Sequence, residues 1–249
     1  MIYSCASDIG KVRKNNEDYC KGEIVQTDFG SIGIFALADG MGGHKKGEVA
    51  SKLAVENIIC FLKENLLQHN NIKIDYVDDI IKQAYNNVNS IIYEKSKSSE
   101  EFEGMGTTLT TAILYKNNLY VANVGDSRCY LLSRYEFSKV TIDHSVVEEL
   151  VRAHIITEEE AKNHPRRNHI TRAMGTDEMV IVDIFKYKID KGDKVLLASD
   201  GLTGFVDDKT IKEIVEKRES VELLAQELID EANDIAGKDN ISVILVEDK

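Results

Sequence analysis

Several things are scarce in this sequence, and each scarcity excludes something. The four cysteines, Cys5, Cys20, Cys60 and Cys129, have no C-x-x-C spacing and no local histidine partners. They therefore indicate neither a zinc site nor a disulfide framework, and they fit a reducing compartment. No apolar stretch approaches membrane-spanning length, and no basic start leads into one, so a cytoplasmic protein without membrane contact is expected. Basic charge is in deficit: 31 Lys and Arg stand against 43 Asp and Glu, giving a net charge of -12 and a pI near 5.0. Phosphate backbones demand a basic face, so nucleic acid is not an expected partner, whereas an acidic surplus suits cations. The one proline, Pro165, lies in a basic patch with Arg166, Arg167 and Arg172. Repeats and low-complexity tracts are absent, and 249 residues suffice for one sizeable core, so a single domain over 1–249 is expected.

What the sequence does contain is a set of acids at the ends of apolar runs. The run 34–38 (Ile-Phe-Ala-Leu-Ala) reads as a buried strand that delivers Asp39 to a glycine-rich turn, Gly40-Met41-Gly42-Gly43. Asp39 is thus expected at a strand tip, with no Lys or Arg following until Lys45. Asp200-Gly201 follows the run 195–199, Gly125-Asp126 follows 119–124, and Asp239 precedes 241–246. Converging carboxylates repel one another strongly without a cation, and divalent ions between them reverse the sign.

Along the chain, strands are expected over 2–7 and 19–25, with a turn at 28–30 before the opening run. Helical spacing follows: Ala50, Leu53, Ala54, Ile58, Phe61 and Leu62, then Val77, Ile80, Ile81, Ala84, Val88, Ile91 and Ile92. A polar loop over 95–106 leads into a hairpin, 107–115 and 119–124 around Lys116-Asn117-Asn118, and a strand over 128–133. Residues 144–175 break the pattern and read as an inserted flap, with a short helix over 146–153 and a capping box from Thr157 to Glu160. Strands over 180–188 and 195–199, helices around 211–217 and 224–236 ending at Gly237, and a last strand over 241–246 complete the chain. Hairpin-joined strands with two one-sided helix pairs predict an α+β fold, antiparallel sheets covered by helices on opposite faces.

The ordered set Ser7-Asp8-Ile9-Gly10, Arg13, Asn16-Glu17-Asp18, Asp39-Gly40-Met41-Gly42-Gly43, Gly106-Thr107-Thr108, Val124-Gly125-Asp126-Ser127-Arg128, Ala198-Ser199-Asp200-Gly201 and Asp239-Asn240 resembles the metal-dependent protein phosphatases of the 2C type. Asp143-His144-Ser145 through Ile170-Thr171-Arg172-Ala173-Met174-Gly175 resembles the flap of their bacterial branch. The resemblance spans nearly the whole chain. It implies a four-layer α/β/β/α sandwich, two central antiparallel sheets flanked by helix pairs. It also implies that Asp39 bridges two metals, that the Gly40 carbonyl holds one, and that Asp200 and Asp239 hold the other. Glu17 and Asp18 would act through waters on the metals, and Asp126 with Asp200 would hold a third, looser ion. Oxygen-only ligation favours Mn²⁺ or Mg²⁺, two to three per chain, over zinc.

The expected activity is hydrolysis of phosphoserine and phosphothreonine monoesters by a water activated between two metals about 3.5 to 4 Å apart. Arg13 is the candidate phosphate clamp, because a guanidinium fork engages two phosphate oxygens at once. Family analogy points to phosphorylated proteins as partners, among them a bacterial Ser/Thr kinase and its substrates, and a monomer is expected. Two alternatives stand beside this: a phosphatase-like binding module without chemistry, whose signature would be a missing carboxylate, and a two-metal nuclease or phosphodiesterase, which the net charge disfavours. His144, His154, His164 and His169 are too scattered for metal ligation and read as polar flap residues, while Thr107 and Thr108 read as packing or hydrogen-bonding residues. Two departures from the family pattern matter. Met41 stands where animal members carry a proposed general-acid histidine, leaving His44 or a water on the metals as donor. His154 stands where bacterial relatives often have glycine.

Overall fold

Period-two alternation along β3 (Gly30–Met41) sets the layers: Ile34, Ala36 and Ala38 face helices, while Phe35 and Leu37 face the space between two sheets. The computed structural model describes residues 1–28, 30–41, 46–68, 76–134 and 136–248. The turn residue Phe29 and the segment Gly42, Gly43, His44 and Lys45 lie outside the described residues. One sheet contains β1 (Ile2–Asp8), β7 (Arg128–Leu132), β8 (Phe137–Lys139), β10 (Lys194–Ala198) and β11 (Ile241–Glu247), in the order β1-β11-β10-β7-β8. The other orders β2 (Asp18–Thr27), β3, β5 (Leu109–Tyr115), β6 (Asn118–Val124) and β9 (Asp183–Lys188) in sequence, with β4 (Gly106–Thr107) paired to β3. All these pairings are antiparallel.

Helices cover both outer faces. Along α1 (Gly47–Gln68) and α2 (Val77–Lys97), Ala50, Ala54, Ile58, Leu62, Ile81, Ala84, Val88 and Ile92 are fully buried on the outer face of the β3 sheet. Over the other sheet lie α5 (Asp200–Thr203), α6 (Asp208–Val215) and α7 (Val221–Ile235), which bury Leu202, Ile211, Leu224 and Leu228. A third apolar cluster, including Phe35, Leu37, Val121, Leu197 and Ile244, fills the space between the sheets. The order is therefore helix, sheet, sheet, helix, as expected. The flap carries α3 (Val146–Arg152) and α4 (Glu158–Lys162), and the Thr157–Glu160 capping box forms. Gly237 closes α7 at φ +56°, as its C-cap reading requires. Among the described helices none is long and apolar enough to cross a membrane.

Several expectations need correction. β3 runs on through Asp39 and Gly40 to Met41, held by β2 on one side and β4 on the other, so Asp39 lies within a paired strand and not on a turn tip. The strand at 107 is separate from β5, because Thr107 pairs with β3 and bridges Met174. Asp200, expected at a strand end, opens a one-turn helix just past β10, and β8 carries too few residues to show a period. His154, in the flap, adopts φ +56°, the left-handed region where glycine is at ease, so the departure from glycine at this position has a backbone cost of ~1–2 kcal/mol.

Tyr85 of α2 is fully buried and lies across β5 and β6, its hydroxyl 2.9 Å from the Ala122 carbonyl, 3.2 Å from that of Leu109 and 3.1 Å from Thr111 Oγ1. Removing it strands those groups away from water. Tyr85→Phe is expected to cost about 1–3 kcal/mol, which lowers the melting temperature by about 2–4 °C per kcal/mol. An unchanged melting curve would contradict this role.

Candidate functional site

The same alternation that makes the core turns polar groups into the seam between the sheets at one end. Asp39 continues the inward face of Phe35 and Leu37, and Asp18 pairs with it in register at the start of β2. From the opposite sheet come Ser199 and Ser242, both fully buried. Ser199 Oγ donates to Asp18 Oδ2 at 2.8 Å and accepts from the Ser242 amide at 2.9 Å. Ser242 Oγ in turn shares a hydrogen bond with Ser7 Oγ at 2.8 Å. The other oxygen of Asp18, Oδ1, is buried without a partner. An unpartnered carboxylate oxygen in a dry seam costs several kcal/mol, and a cation would satisfy it.

Around this pair the sequence-predicted acids converge. The carboxyl group of Asp39 is pushed well above the usual range, first by burial and then by the charges of Asp18, Asp200 and Asp126. It lies within hydrogen-bond reach of Asp200, an approach two carboxyl groups make only with a proton or a cation between them. Burial raises Asp200, with Asp239 adding to it. Burial also lifts Asp18 to about 7 and Asp126 to about 8, with Asp200 as a like-charged neighbour of each. Among the described residues, no three of the acidic, histidine or cysteine side chains are closed tightly enough around one point to form a finished metal cage.

The backbone under them is fixed. The Asp39 amide donates to Thr108 Oγ1 at 2.8 Å, and its carbonyl accepts from Thr107 Oγ1 at 2.8 Å and the Thr108 amide at 2.9 Å. Thr107 and Thr108 are thus hydrogen-bonding residues, as read from sequence. Gly40 donates to the Glu17 carbonyl at 3.1 Å, and a Cβ on Gly40 would come within 2.3 Å of the Gly47 carbonyl oxygen, so only glycine fits. Glu17 stands at the border, its carboxylate over Gly47 at the start of α1, where the helix dipole favours negative charge. Burial raises its pKa, and Glu48 adds to the rise. Asn240 ties the loop before β2 to β11: its Oδ1 accepts from the Glu17 amide at 2.8 Å, and its Nδ2 donates to the carbonyls of Ile9 and Asn15 at 2.9 and 3.0 Å.

Two arginines temper the negative charge. Arg13, half exposed, donates to Asp239 Oδ2 at 2.7 Å. Arg128 is held more deeply, its Nε and Nη2 both donating to Asp143 Oδ2, at 2.9 and 2.7 Å, and Nη1 lying 3.3 Å from the Tyr130 hydroxyl. Its positive charge opposes the rise at Asp126 and Asp200. His144, read as a polar flap residue, is buried at the flap root, Nδ1 accepting from the Gly125 amide at 3.1 Å and Nε2 facing Asp183 Oδ2 at 3.1 Å. It anchors the flap root to the turn that carries Asp126. Ser199, Ser242, Asn240 and Arg128 were given no role in the sequence reading. Inward strand parity was the available signal for the two serines.

A helix-flanked double-sheet sandwich with a rim of converging, largely buried carboxylates is the arrangement expected of a metal-dependent phosphatase. The chain belongs to the protein phosphatase 2C family, whose sequence profile, Protein phosphatase 2C, matches residues 6–241. It is 38% identical over 241 residues to the serine/threonine phosphatase stp of Listeria monocytogenes, covering 97% of this chain and 93% of that one. Among solved structures it superposes on serine/threonine phosphatase Stp1 from Staphylococcus aureus with a TM-score of 0.89 at 36% identity, covering 99% of this chain and 94% of that one. A second, the catalytic domain of the serine threonine protein phosphatase PstP in complex with two manganese ions, superposes at 0.83 with 35% identity, covering 99% and 97%. The activity of this chain is metal-dependent protein serine/threonine dephosphorylation.

The raised acids give the metal-free protein a defined pH dependence. A group whose pKa folding raises contributes stability that is complete below the ordinary carboxylate range and is lost as pH rises through its native value. With Asp18 near 7 and Asp126 near 8, the melting temperature of protein held in chelator is expected to fall between weakly acidic buffer and pH of about 8. Saturating Mn²⁺ should flatten that slope, whereas a melting temperature that rises over the window without metal would contradict the assignment.

Proposed function

We propose that Asp39, the Gly40 carbonyl, Asp200 and Asp239 hold two divalent cations, Mn²⁺ or Mg²⁺, that Glu17 and Asp18 act on them through water, and that Asp126 with Asp200 holds a third. The observation that supports this most is the convergence of Asp39, Asp200 and Asp126, each partly exposed, on the buried Asp18, whose Oδ1 is unpartnered. An all-oxygen, multiply anionic set suits hard cations. When bound, such ions bring the pKa of water toward neutrality and screen the charge of a phosphoryl group.

The protein's own part is to hold the acids in register and to orient the ester. Arg13, half exposed at the rim, can exchange its contact with Asp239 for two oxygens of a phosphoserine or phosphothreonine. Met41 has no proton to give to the departing serine or threonine oxygen, and His144 is occupied by Gly125 and Asp183. We take the chain to act as one domain and as a monomer in the cytoplasm. Its substrates there would be phosphorylated proteins, including a Ser/Thr kinase and that kinase's targets.

After metal removal, turnover of p-nitrophenyl phosphate and of a phosphothreonine peptide is expected to vanish and to return with Mn²⁺. Asp39→Asn and Asp239→Asn should each abolish it while the circular-dichroism spectrum stays native. Metal-independent turnover would overturn the reading. Arg13→Ala should raise KM more than it lowers kcat, and an unchanged KM would remove Arg13 from the phosphate.

A further inference from the structure

On β1, Ile2 and Ala6 pack outward toward the α7 layer, so Tyr3, Cys5 and Ser7 take the inward face. On β2, Asp18, Cys20 and Ile24 likewise face inward. Both strands are edges of their sheets and lie against each other at the open side of the sandwich. Tyr3 Oη donates to the Gly22 carbonyl at 2.7 Å, and Asn16 Nδ2 donates to Ser7 Oγ at 2.8 Å, which brackets Cys5 opposite Cys20. Cys5 and Cys20 are thus neighbours across the two edges, near enough for each thiol to perturb the other. Cys5 is exposed and Cys20 partly buried, both as free thiols. Access, a facing partner and a contact across two otherwise unpaired strand edges are what a reversible disulfide requires.

We propose that Cys5 and Cys20 form a redox-sensitive pair that a hydroperoxide converts into a disulfide, tying β1 to β2 beside Asp18 and lowering turnover. Cys5 is the attacking sulfur. Its thiolate displaces hydroxide from hydrogen peroxide to give a sulfenic acid, the peroxide bond taking up two electrons. Cys20 sulfur then displaces the sulfenic hydroxyl group, which leaves as water with the Cys20 proton. Cys5 is the more exposed of the two thiols, in keeping with that order. Closure shortens a thiol contact to a bond of about 2.05 Å. Asp18 stands two residues from Cys20 on the same face, and the loop after β1 carries Arg13, so the strands drawn together are those that position the site. The effect on turnover rests on the site roles proposed above, whereas the disulfide itself does not.

The full chain is oxidised with slight excess hydrogen peroxide in chelator, freed of peroxide, mapped by mass spectrometry, and assayed with Mn²⁺ restored. The expected result is loss of two hydrogens, a crosslinked Cys5–Cys20 peptide, and a severalfold fall in turnover that dithiothreitol reverses. Cys5→Ser and Cys20→Ala should each abolish the crosslink and the sensitivity, while Cys60→Ser retains both. Cys5 oxidised to sulfinic acid with Cys20 untouched would overturn the pair. A crosslink that leaves turnover unchanged would overturn its link to the site, and absent turnover in the reduced enzyme would instead point to failure of the phosphatase roles.

Discussion

Repulsion among carboxylates held out of water is the constraint that organises this molecule. Asp18, Asp39, Asp126 and Asp200 are drawn into one seam where burial raises each of them first, and like-charged neighbours, Asp200 for Asp18, Asp39 and Asp126 and Asp239 for Asp200, add to the rise. Such a cluster persists only because the rest of the fold over-determines it. Arg13 and Arg128 supply part of the opposing charge, and hydroxyls from Ser199 and Thr108 supply directed hydrogen bonds. What remains is a demand for hard cations, and the family's chemistry meets it.

The scaffold achieves this with ordinary means. Strands whose apolar residues alternate between the inter-sheet core and the helical layers deliver, at their last inward positions, a polar residue in place of Val, Leu or Phe. The switch happens at the same end of both sheets, so Asp18 and Asp39 from one meet Ser199 and Ser242 from the other. Close approach of backbones at that end needs glycine. A Cβ on Gly201 would fall 1.9 Å from the Asn240 carbonyl oxygen, so glycine lets the start of α5, with Asp200, sit against the residues that lead from Asp239 into β11.

Much of this was legible in sequence because apolar period reports directly on burial. The two long helices, the hairpin at 116–117, the capping box of the flap and antiparallel sheets covered by helices on opposite faces follow from pattern and turn chemistry, while the four-layer order came with the family resemblance. The acids were legible as acids beside Gly or Asn at the ends of apolar runs, and their ordered set carried the family resemblance. Other features depend on register, which one strand's sequence does not state. Gly40-Met41 reads as a turn until β4 is seen pairing with it, Thr107 opposite Gly40 and Gly106 opposite Met41. His144 reads as a polar flap residue of no particular role until Gly125 and Asp183 are found on its two nitrogens. Nothing local marks Ser199 as the donor to Asp18, since their meeting is made by the contact of two sheets.

If mutual repulsion is what these acids have in common, some of them bind protons at neutral pH without metal and release them when a cation arrives. The direct measurement is Mn²⁺ titration calorimetry at pH of about 7 in buffers of different ionisation enthalpy, which counts protons released on binding. The account predicts net proton release on binding, lost in Asp39→Asn. Mn²⁺ binding with no proton exchange would mean that the carboxylates are already ionised and far enough apart to ignore one another, and the central claim would fail.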